Sequence, residues 1–547
     1  MARNRLAQSG ILIRATMNPM PPRVEAEASP GARSSISTRE TCALACVLLV
    51  ALLVRLPGLG ESLWYDEVLY TATSFAQPGT LSFLLWKDVH PPFYTLVLLA
   101  WTSLFGDSEI AVRLPSLLLG LASLGGFWFM ARRWLGPRRA FLAAALLALS
   151  PPHIWYSHEN KVNMLLLLLT VAAVWFYWRA AETRRRRDWI AATVVFIVAM
   201  HTHAYAVPVA MAIFVWLGWR ANGDSLLTKP LLKSGLIVAL AVLPLALLKF
   251  SQGGALDRGY LRQLSPGELY TLLLVWLPSG NTLRTVSPYD SFAKLVAQPW
   301  PYFLVDAFFA CLLVRGLVVA FRAARGDGWT VRATTSPATE PARLILLWFV
   351  VPVVFTLAGS LVIPHFYIER NLLVVLPPFL LLLVMGADVS TPRWARAPVV
   401  AGLLAFAIAA TVSLLFIKTE VWTVYKYKPD WRAAAHYFGD EIKADGALRV
   451  FVTNGTNEFY YYGPRIVLRN APPGSEREIF VADVCAGETE KVPGAVAREG
   501  WSTFYLLHNT AWSGCWDSAW RAFSNAPQFR LVEKRQFKGL TAYKFSR

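Results

Sequence analysis

Charge is scarce in this chain: only 16% of its 547 residues are Asp, Glu, Lys or Arg, against roughly a quarter in soluble domains. That excludes a string of soluble domains, which the length alone would allow. Cysteine is scarce too. There are five, with no CxxC pair and no Cys/His spacing of the zinc type, so no zinc module is encoded. No internal repeat is visible. The apolar runs also lack ionisable residues near their centres, with Asp306, Arg315 and Lys249 lying toward run ends. Ion-coupled transporters and pumps place charges near the midplane, at repeat interfaces. The pattern argues against them, although a lipid flippase can have few buried charges.

What is abundant is apolar length. Hydrophobic residues make up 55% of the chain, and the mean hydropathy is +0.41. The first apolar run is Cys42–Leu59, with no small-residue cleavage site after it, so it reads as an uncleaved span. Ten more runs follow, near 113–131, 140–155, 162–180, 189–203, 204–219, 231–250, 300–321, 343–363, 369–387 and 397–418. The run 93–105 is too short to span comfortably. It is bounded by Pro91-Pro92 and Gly106 and is expected at the interface.

Parity supports that choice. With 93–105 left out, the Arg-rich loops fall on one side together with the N-terminal tail, among them Arg132/Arg133/Arg138/Arg139 and Arg184–Arg187. This is the positive-inside asymmetry. The net charge is +18, of which only +4 lies past residue 420. The basic excess is therefore a membrane-topology signal, and no basic, aromatic-interleaved module for nucleic acid is present. The fold class expected is a polytopic α-helical membrane protein of eleven spans, N-terminus inside and C-terminus outside, carrying a small α/β domain.

The expected organisation has three parts. Residues 1–40 form a disordered cytoplasmic tail. Residues 41–419 form the transmembrane domain, with a first outer loop at 59–112. Residues 420–547 form the outer α/β domain, with a helix from Trp431 through Ile442 and strands at Arg449–Thr453, Ile479–Val484, Thr503–His508 and Thr541–Phe545. Cys485 and Cys515 are its only cysteines and are candidates for a disulfide in an oxidising compartment.

Polar residues collect in the outer loops. The first holds Trp64, Tyr65, Asp66, Glu67 and His90, and the second holds His153, Tyr156, His158, Glu159, Asn160 and Lys161. His201 and His203 fall in the third, Asp257, Arg258, Tyr260, Arg262 and Arg284 in the long fourth (251–299), and His365, Tyr367, Glu369 and Arg370 in the fifth. Six of the eight histidines thus lie at the outer boundary. This suits chemistry at the outer leaflet on a substrate with one apolar and one polar part. Asp66 or Glu67 could act as a general base toward an acceptor hydroxyl or amine. Lys161 or Arg370 could hold a leaving phosphate. The plain alternatives are a solvated Asp-Glu pair, a Glu159–Lys161 ion pair at a helix start, and Arg370 reaching to lipid headgroups.

The residues also carry a resemblance. Ser62-Leu63-Trp64-Tyr65-Asp66-Glu67 resembles the W-x-D-E signature of GT-C fold glycosyltransferases that use polyprenyl-phosphate sugars. These are family 39-type enzymes, protein O-mannosyltransferase-like and lipid A aminoarabinose transferase-like. His90-Pro91-Pro92-Phe93-Tyr94 resembles their H-P-P-L-Y segment, and Phe105–Glu109 with Arg113-Leu114-Pro115 resembles F-G-x-S-E…R-L-P. Ser150–Lys161 resembles S-P-x-x-x-x-Y-S-Q-E-x-R, and Pro429-Asp430-Trp431-Arg432 resembles the P-D-W-R that opens the outer tail. His158 stands for the usual Gln, Lys161 for the usual Arg, and Arg370-Asn371 for the usual Arg-Tyr.

The resemblance implies an inverting membrane glycosyltransferase, mannosyltransferase-like, with a polyprenyl-phosphate-linked sugar as donor and a protein, lipid or glycan as acceptor. It implies Asp66 as base and Glu67 as the adjacent acid, which could instead orient the loop or bind substrate or metal. His90, Tyr156, His158, Glu159, Lys161 and Arg370 are implied on the substrate side. No cofactor is expected other than a divalent metal, on which relatives differ and for which no ligand set here is specific. A bacterial inner membrane, with the site facing the periplasm, is the expected location. The alternative function is a lipid-linked sugar flippase.

Overall fold

Inside a bilayer every backbone N–H and C=O must be satisfied within the chain, so apolar runs of this length become helices. A computed structural model describes residues 36–73, 91–222, 224–251, 267–284, 293, 297–325, 339–363, 366–388, 393–416, 428–445, 447–453, 455–467, 478–483, 496, 499, 501–510 and 515–547. His90, His365, Cys485 and the polar cluster at 257–262 lie outside the described residues.

Of the N-terminal 42 residues only the last few are described. They show a capping box, in which Ser37 Oγ accepts from the Glu40 amide at 3.3 Å and the Glu40 carboxylate accepts from the Ser37 amide at 2.8 Å. This reciprocal pairing starts the helix Thr38–Leu53.

All eleven apolar runs are helical, and among the described residues seven helices are long and apolar enough to cross a membrane. The other four runs form shorter helices. The run 140–155 is broken in two, Pro137–Ala148 and Pro151–Ser157, because Ser150 precedes a proline and takes an extended conformation. The run 93–105 is a 13-residue helix, Phe93–Phe105, stopped at Gly106 with φ 77°. The long fourth loop, for which no helix was expected, contains a helical stretch from Gly267 to Ser279 with a π turn at Thr271–Trp276. Its Leu272, Trp276 and Leu277 are buried. The apolar segment is too short to signal a helix by periodicity.

Two helices approach unusually closely. A Cβ on Gly316 in Pro301–Arg325 would lie 2.0 Å from the Leu382 carbonyl oxygen, and one on Gly386 in Leu376–Asp388 would lie 2.0 Å from that of Leu312. Glycines facing each other allow the backbones to pack directly, as small residues do in membrane interfaces.

The C-terminal region folds as a five-stranded sheet in the order β2-β1-β3-β5-β4, with β1 Ala447–Thr453, β2 Glu478–Asp483, β3 Thr503–Asn509, β4 Arg530–Phe537 and β5 Leu540–Ser546. β1 pairs in parallel with β2 and β3, while β5 pairs antiparallel with β3 and β4. Strand alternation divides the core by face. Leu448, Val450, Val452, Tyr505, Leu507 and Ala542 pack under the helix Trp431–Asp445. Phe451, Phe504, Leu506 and Phe545 pack under Trp516–Ser524 on the other side. The four strands expected from sequence are present. The edge strand β4 was not expected, because its charged, largely exposed sequence lacks an apolar face.

The first of these cores extends beyond the C-terminal region. It also contains Leu63, Val68, Tyr94, Leu98, Val112, Val162 and Leu165, so the loops around 59–67 and 157–162 and the C-terminal helix share one apolar interior. Gly316→Ala and Gly386→Ala should each lower stability by about 1–3 kcal/mol through overpacking, measured as thermal unfolding in detergent. Wild-type stability in both would contradict this close approach.

Candidate active site

Asp66 and Glu67 lie in the first turn of the helix Tyr65–Thr73, where carboxylates interact well with the helix dipole. Adjacent helical residues point about 100° apart, and here that separates their fates. Glu67 turns inward and is wholly buried. Arg113 forks onto it, with Nε to Oε1 at 2.8 Å and Nη2 to Oε2 at 2.7 Å. The amides of Asn160 (3.0 Å) and Trp64 (3.3 Å) also donate to it, and Lys428 Nζ lies 3.3 Å from Oε2. Burial alone would raise the Glu67 pKa. The charges of Arg113 and then Lys428, with these hydrogen bonds, outweigh burial and hold it at about 2.

Arg113 does more than neutralise Glu67. Its Nη1 donates to the carbonyls of Gly58 (3.3 Å), Leu59 (2.7 Å) and Glu61, and its Nη2 to that of Ser62 at 3.1 Å. One side chain from the start of the helix Glu109–Leu135 therefore gathers the whole 58–67 turn. The loop around 157–162 is tied to the same point. Besides its amide bond to Glu67, Asn160 donates to Thr71 Oγ1 at 2.9 Å and accepts from Tyr94 Oη at 2.8 Å.

Asp66 faces the other way. Its side chain is 22% exposed, it is bridged by Lys161 Nζ, and Arg370 Nη1 lies 3.6 Å from the same oxygen. Lys161 sits over the Trp64 ring, 5.0 Å from its centroid. Burial, then the Arg370 charge, lower the Lys161 pKa. Glu159 is buried beside this group. Its Oε1 accepts from Trp155 Nε1 at 2.7 Å, while its Oε2 has no hydrogen-bond partner among the described residues. Glu159 does not pair with Lys161, which bridges to Asp66 instead. Tyr156 is buried within the electrostatic reach of Glu159, Arg370 and Asp66. Asp66, Tyr156, Glu159, Lys161 and Arg370, singled out in the sequence, are thus brought together from three separate loops.

His158 is buried, and burial followed by the charges of Lys428 and Arg55 pushes its pKa down to about 3. It is neutral at ordinary pH. His153 turns away from the site, its ring between Arg55 Nη2 (2.7 Å) and Ser123 Oγ (3.0 Å). His201 and His203 bind local backbone, the first at Ile197 O (2.9 Å) and the second at the Tyr205 amide (3.1 Å). Arg284 pairs with Asp306, which also accepts from Tyr270. Cys515 is disulfide-bonded. Among the described residues no group of three His, Cys, Asp or Glu is spaced to hold a metal. Arg113, Asn160 and Lys428 were not singled out for a site role from sequence. The only signal was their place inside or beside the motifs that carry the resemblance.

Residues 89–247 match the family model of dolichyl-phosphate-mannose-protein mannosyltransferases. Over that stretch the chain carries the sequence pattern of a glycosyltransferase family, which bears out the resemblance drawn from the motifs. The structure is similar to that of apo ArnT from Cupriavidus metallidurans, at 17% identity over 93% of this chain and 98% of that one, with TM-score 0.46. ArnT has also been solved bound to undecaprenyl phosphate. Further similarities are to an Archaeoglobus fulgidus oligosaccharyltransferase (12% identity, 92% and 72% covered, TM-score 0.48) and to the mycobacterial arabinofuranosyltransferase AftD (15%, 94% and 40%, 0.47). No curated protein matches the sequence significantly.

The Glu67 pKa generates a prediction with a definite sign. It lies below its ordinary 4.5 in the folded state, at about 2. Its contribution, about 3 kcal/mol for a shift of this size, is therefore complete above pH 4.5 and is lost as pH falls toward 2. Stability in detergent should fall over that window in wild type. Glu67→Gln should be less stable at pH 7, by about 3–5 kcal/mol because Arg113 and Lys428 lose their carboxylate, and should show a flatter acid limb. Equal acid limbs would contradict the clamp.

Proposed function

We propose that this chain is an integral membrane glycosyltransferase that moves a sugar from a polyprenyl phosphate to an acceptor on the outer side of the membrane, with inversion. The observation that carries the reading is the Asp66–Lys161–Arg370 cluster. It is a partly exposed carboxylate held between two cations, on the motif that resembles the W-x-D-E signature. The family match over 89–247 supports the reaction class.

In this reading the acceptor O–H or N–H gives its proton to the Asp66 carboxylate. The acceptor atom attacks the anomeric carbon from the face opposite the phosphate. The bond from that carbon to the phosphate oxygen breaks, and the electron pair leaves with the polyprenyl phosphate. A single displacement inverts the configuration and needs one base, in contrast to the paired carboxylates of retaining glycosidases. Lys161 and Arg370 would neutralise the leaving phosphate through charge-assisted hydrogen bonds. The arriving phosphate competes with Asp66 for the same cations, so donor binding frees the base when it is needed.

Glu67 is a positioning residue here, since no substrate reaches a carboxylate sealed by Arg113, Lys428 and two amides. Glu159 would not hold the phosphate directly, because both carry negative charge. Its free Oε2 suits a substrate hydroxyl. The basic loops support an orientation with this face outside, and the resemblance supports a bacterial inner membrane.

Purified protein in lipid should transfer radiolabelled sugar from a polyprenyl-phosphate donor to envelope acceptors. Asp66→Asn should cut the rate by about 100- to 10,000-fold in protein that remains folded in lipid. Wild-type activity in a folded Asp66→Asn protein would remove Asp66 as the base. Absence of transfer combined with lipid translocation by both proteins would replace the reading with a flippase.

A further inference from the structure

Lys428 comes from the segment just ahead of the C-terminal helix Trp431–Asp445, yet its side chain is buried among the outer loops of the membrane domain. Its ammonium makes three kinds of contact. Nζ lies 3.3 Å from Glu67 Oε2 on the first loop and donates to the His158 carbonyl on the second at 3.3 Å. It also stands 5.2 Å from the centroid of the Trp155 ring. That same Trp155 donates its indole N–H to Glu159 at 2.7 Å. One cation therefore touches the carboxylate next to Asp66, the backbone next to Glu159, and the ring that aims Glu159.

Its charge is not needed to neutralise Glu67, which Arg113 already takes in a bidentate fork. A second buried cation beside a satisfied carboxylate carries a desolvation cost. Burial and the nearby Arg113 charge both disfavour the ammonium. What it gains is the union of two loops that bear the reacting groups.

The backbone around Lys428 is anchored so that the side chain cannot drift. The Asp430 amide donates to Lys538 O at 2.8 Å, and Asp430 Oδ1 caps the following helix at the Ala433 amide (3.0 Å) while accepting from Ser62 Oγ (3.0 Å). Arg432 donates to Glu109 and to the Gly60 carbonyl, both at 3.1 Å. Tyr462 Oη accepts from the Leu63 amide at 2.7 Å.

We propose that Lys428 is a positioning residue through which the C-terminal domain completes the transfer site, setting Asp66 through Glu67 and Glu159 through Trp155. This rests on the transferase reading above and adds that the site is incomplete without the C-terminal domain.

The test uses full-length protein in lipid, with Lys428→Met, Lys428→Arg and Trp155→Phe. For Lys428→Met, kcat should fall about 10- to 100-fold, as small displacements of reacting groups do, with donor KM within about threefold of wild type. Lys428→Arg, which keeps the cation, should recover most of the loss. Trp155→Phe leaves Lys428 and an aromatic face but removes the indole donor to Glu159, and should lower kcat by a smaller factor. It carries the test if Lys428→Met does not fold. Hydrogen exchange should quicken in both 58–67 and 155–161 in Lys428→Met, with 431–445 unchanged.

Wild-type kcat in folded Lys428→Met, or losses in Lys428→Met and Lys428→Arg alike that track only the melting temperature, would overturn the proposal and leave the transferase reading standing. If wild type transfers no sugar, the transferase reading fails and the exchange data decide the joint. Quickening in both loops supports it, and unchanged exchange overturns it.

Discussion

A carboxylate and a guanidinium buried together hold the face of this protein that carries the candidate site in shape. Glu67 and Arg113 are both inaccessible to solvent, and each satisfies the other in a forked pair. Every remaining donor on Arg113 goes to a carbonyl of the 58–62 turn, and every remaining acceptor site on Glu67 goes to an amide or to Lys428. Breaking a buried pair by removing one member leaves an uncompensated charge, which costs far more than the pair contributes. The first loop, the second loop and the start of the helix Glu109–Leu135 therefore move together or not at all. Asp66 inherits its position from that rigidity, because it is the next residue along the same helical turn.

The same device explains why two neighbouring acids can have different work. One turn of helix sends Glu67 into a shell of donors and Asp66 toward the partly open side, where Lys161 and Arg370 converge from other loops. A buried acid with a pKa near 2 is an anchor. In the transferase reading proposed above, the partly exposed acid, whose cations a phosphate would draw off, serves as the base. The C-terminal domain joins this scheme through a shared apolar core that runs from Leu63 and Tyr94 to Trp431 and Phe438, and through Lys428.

Much of this was legible in the sequence, where local pattern decides the outcome. Apolar runs gave the helices because bilayer-length apolar segments admit little else. The stop at Gly106 was anticipated from the glycine, whereas the break at Ser150-Pro151 inside the run 140–155 was not, although its local cause is the proline. The gathering of Asp66, Tyr156, Glu159, Lys161 and Arg370 was anticipated because they share one set of loops and one ordered set of motifs. The division between Asp66 and Glu67 was not legible. It depends on which side of a short helix meets Arg113, a residue 46 positions away along the chain. Lys428 was hidden for the same reason, being separated from its partners by most of the protein. The Gly267–Ser279 helical stretch and β4 escaped because one is short and the other lacks an apolar face.

The most direct measurement of the central claim is a cryo-EM structure of the protein in lipid with a polyprenyl phosphate bound. The expected result is a phosphate between Lys161 and Arg370, with the Lys161–Asp66 bridge opened and the Glu67–Arg113 pair unchanged. A phosphate bound elsewhere, with Asp66 still bridged to Lys161, would contradict it.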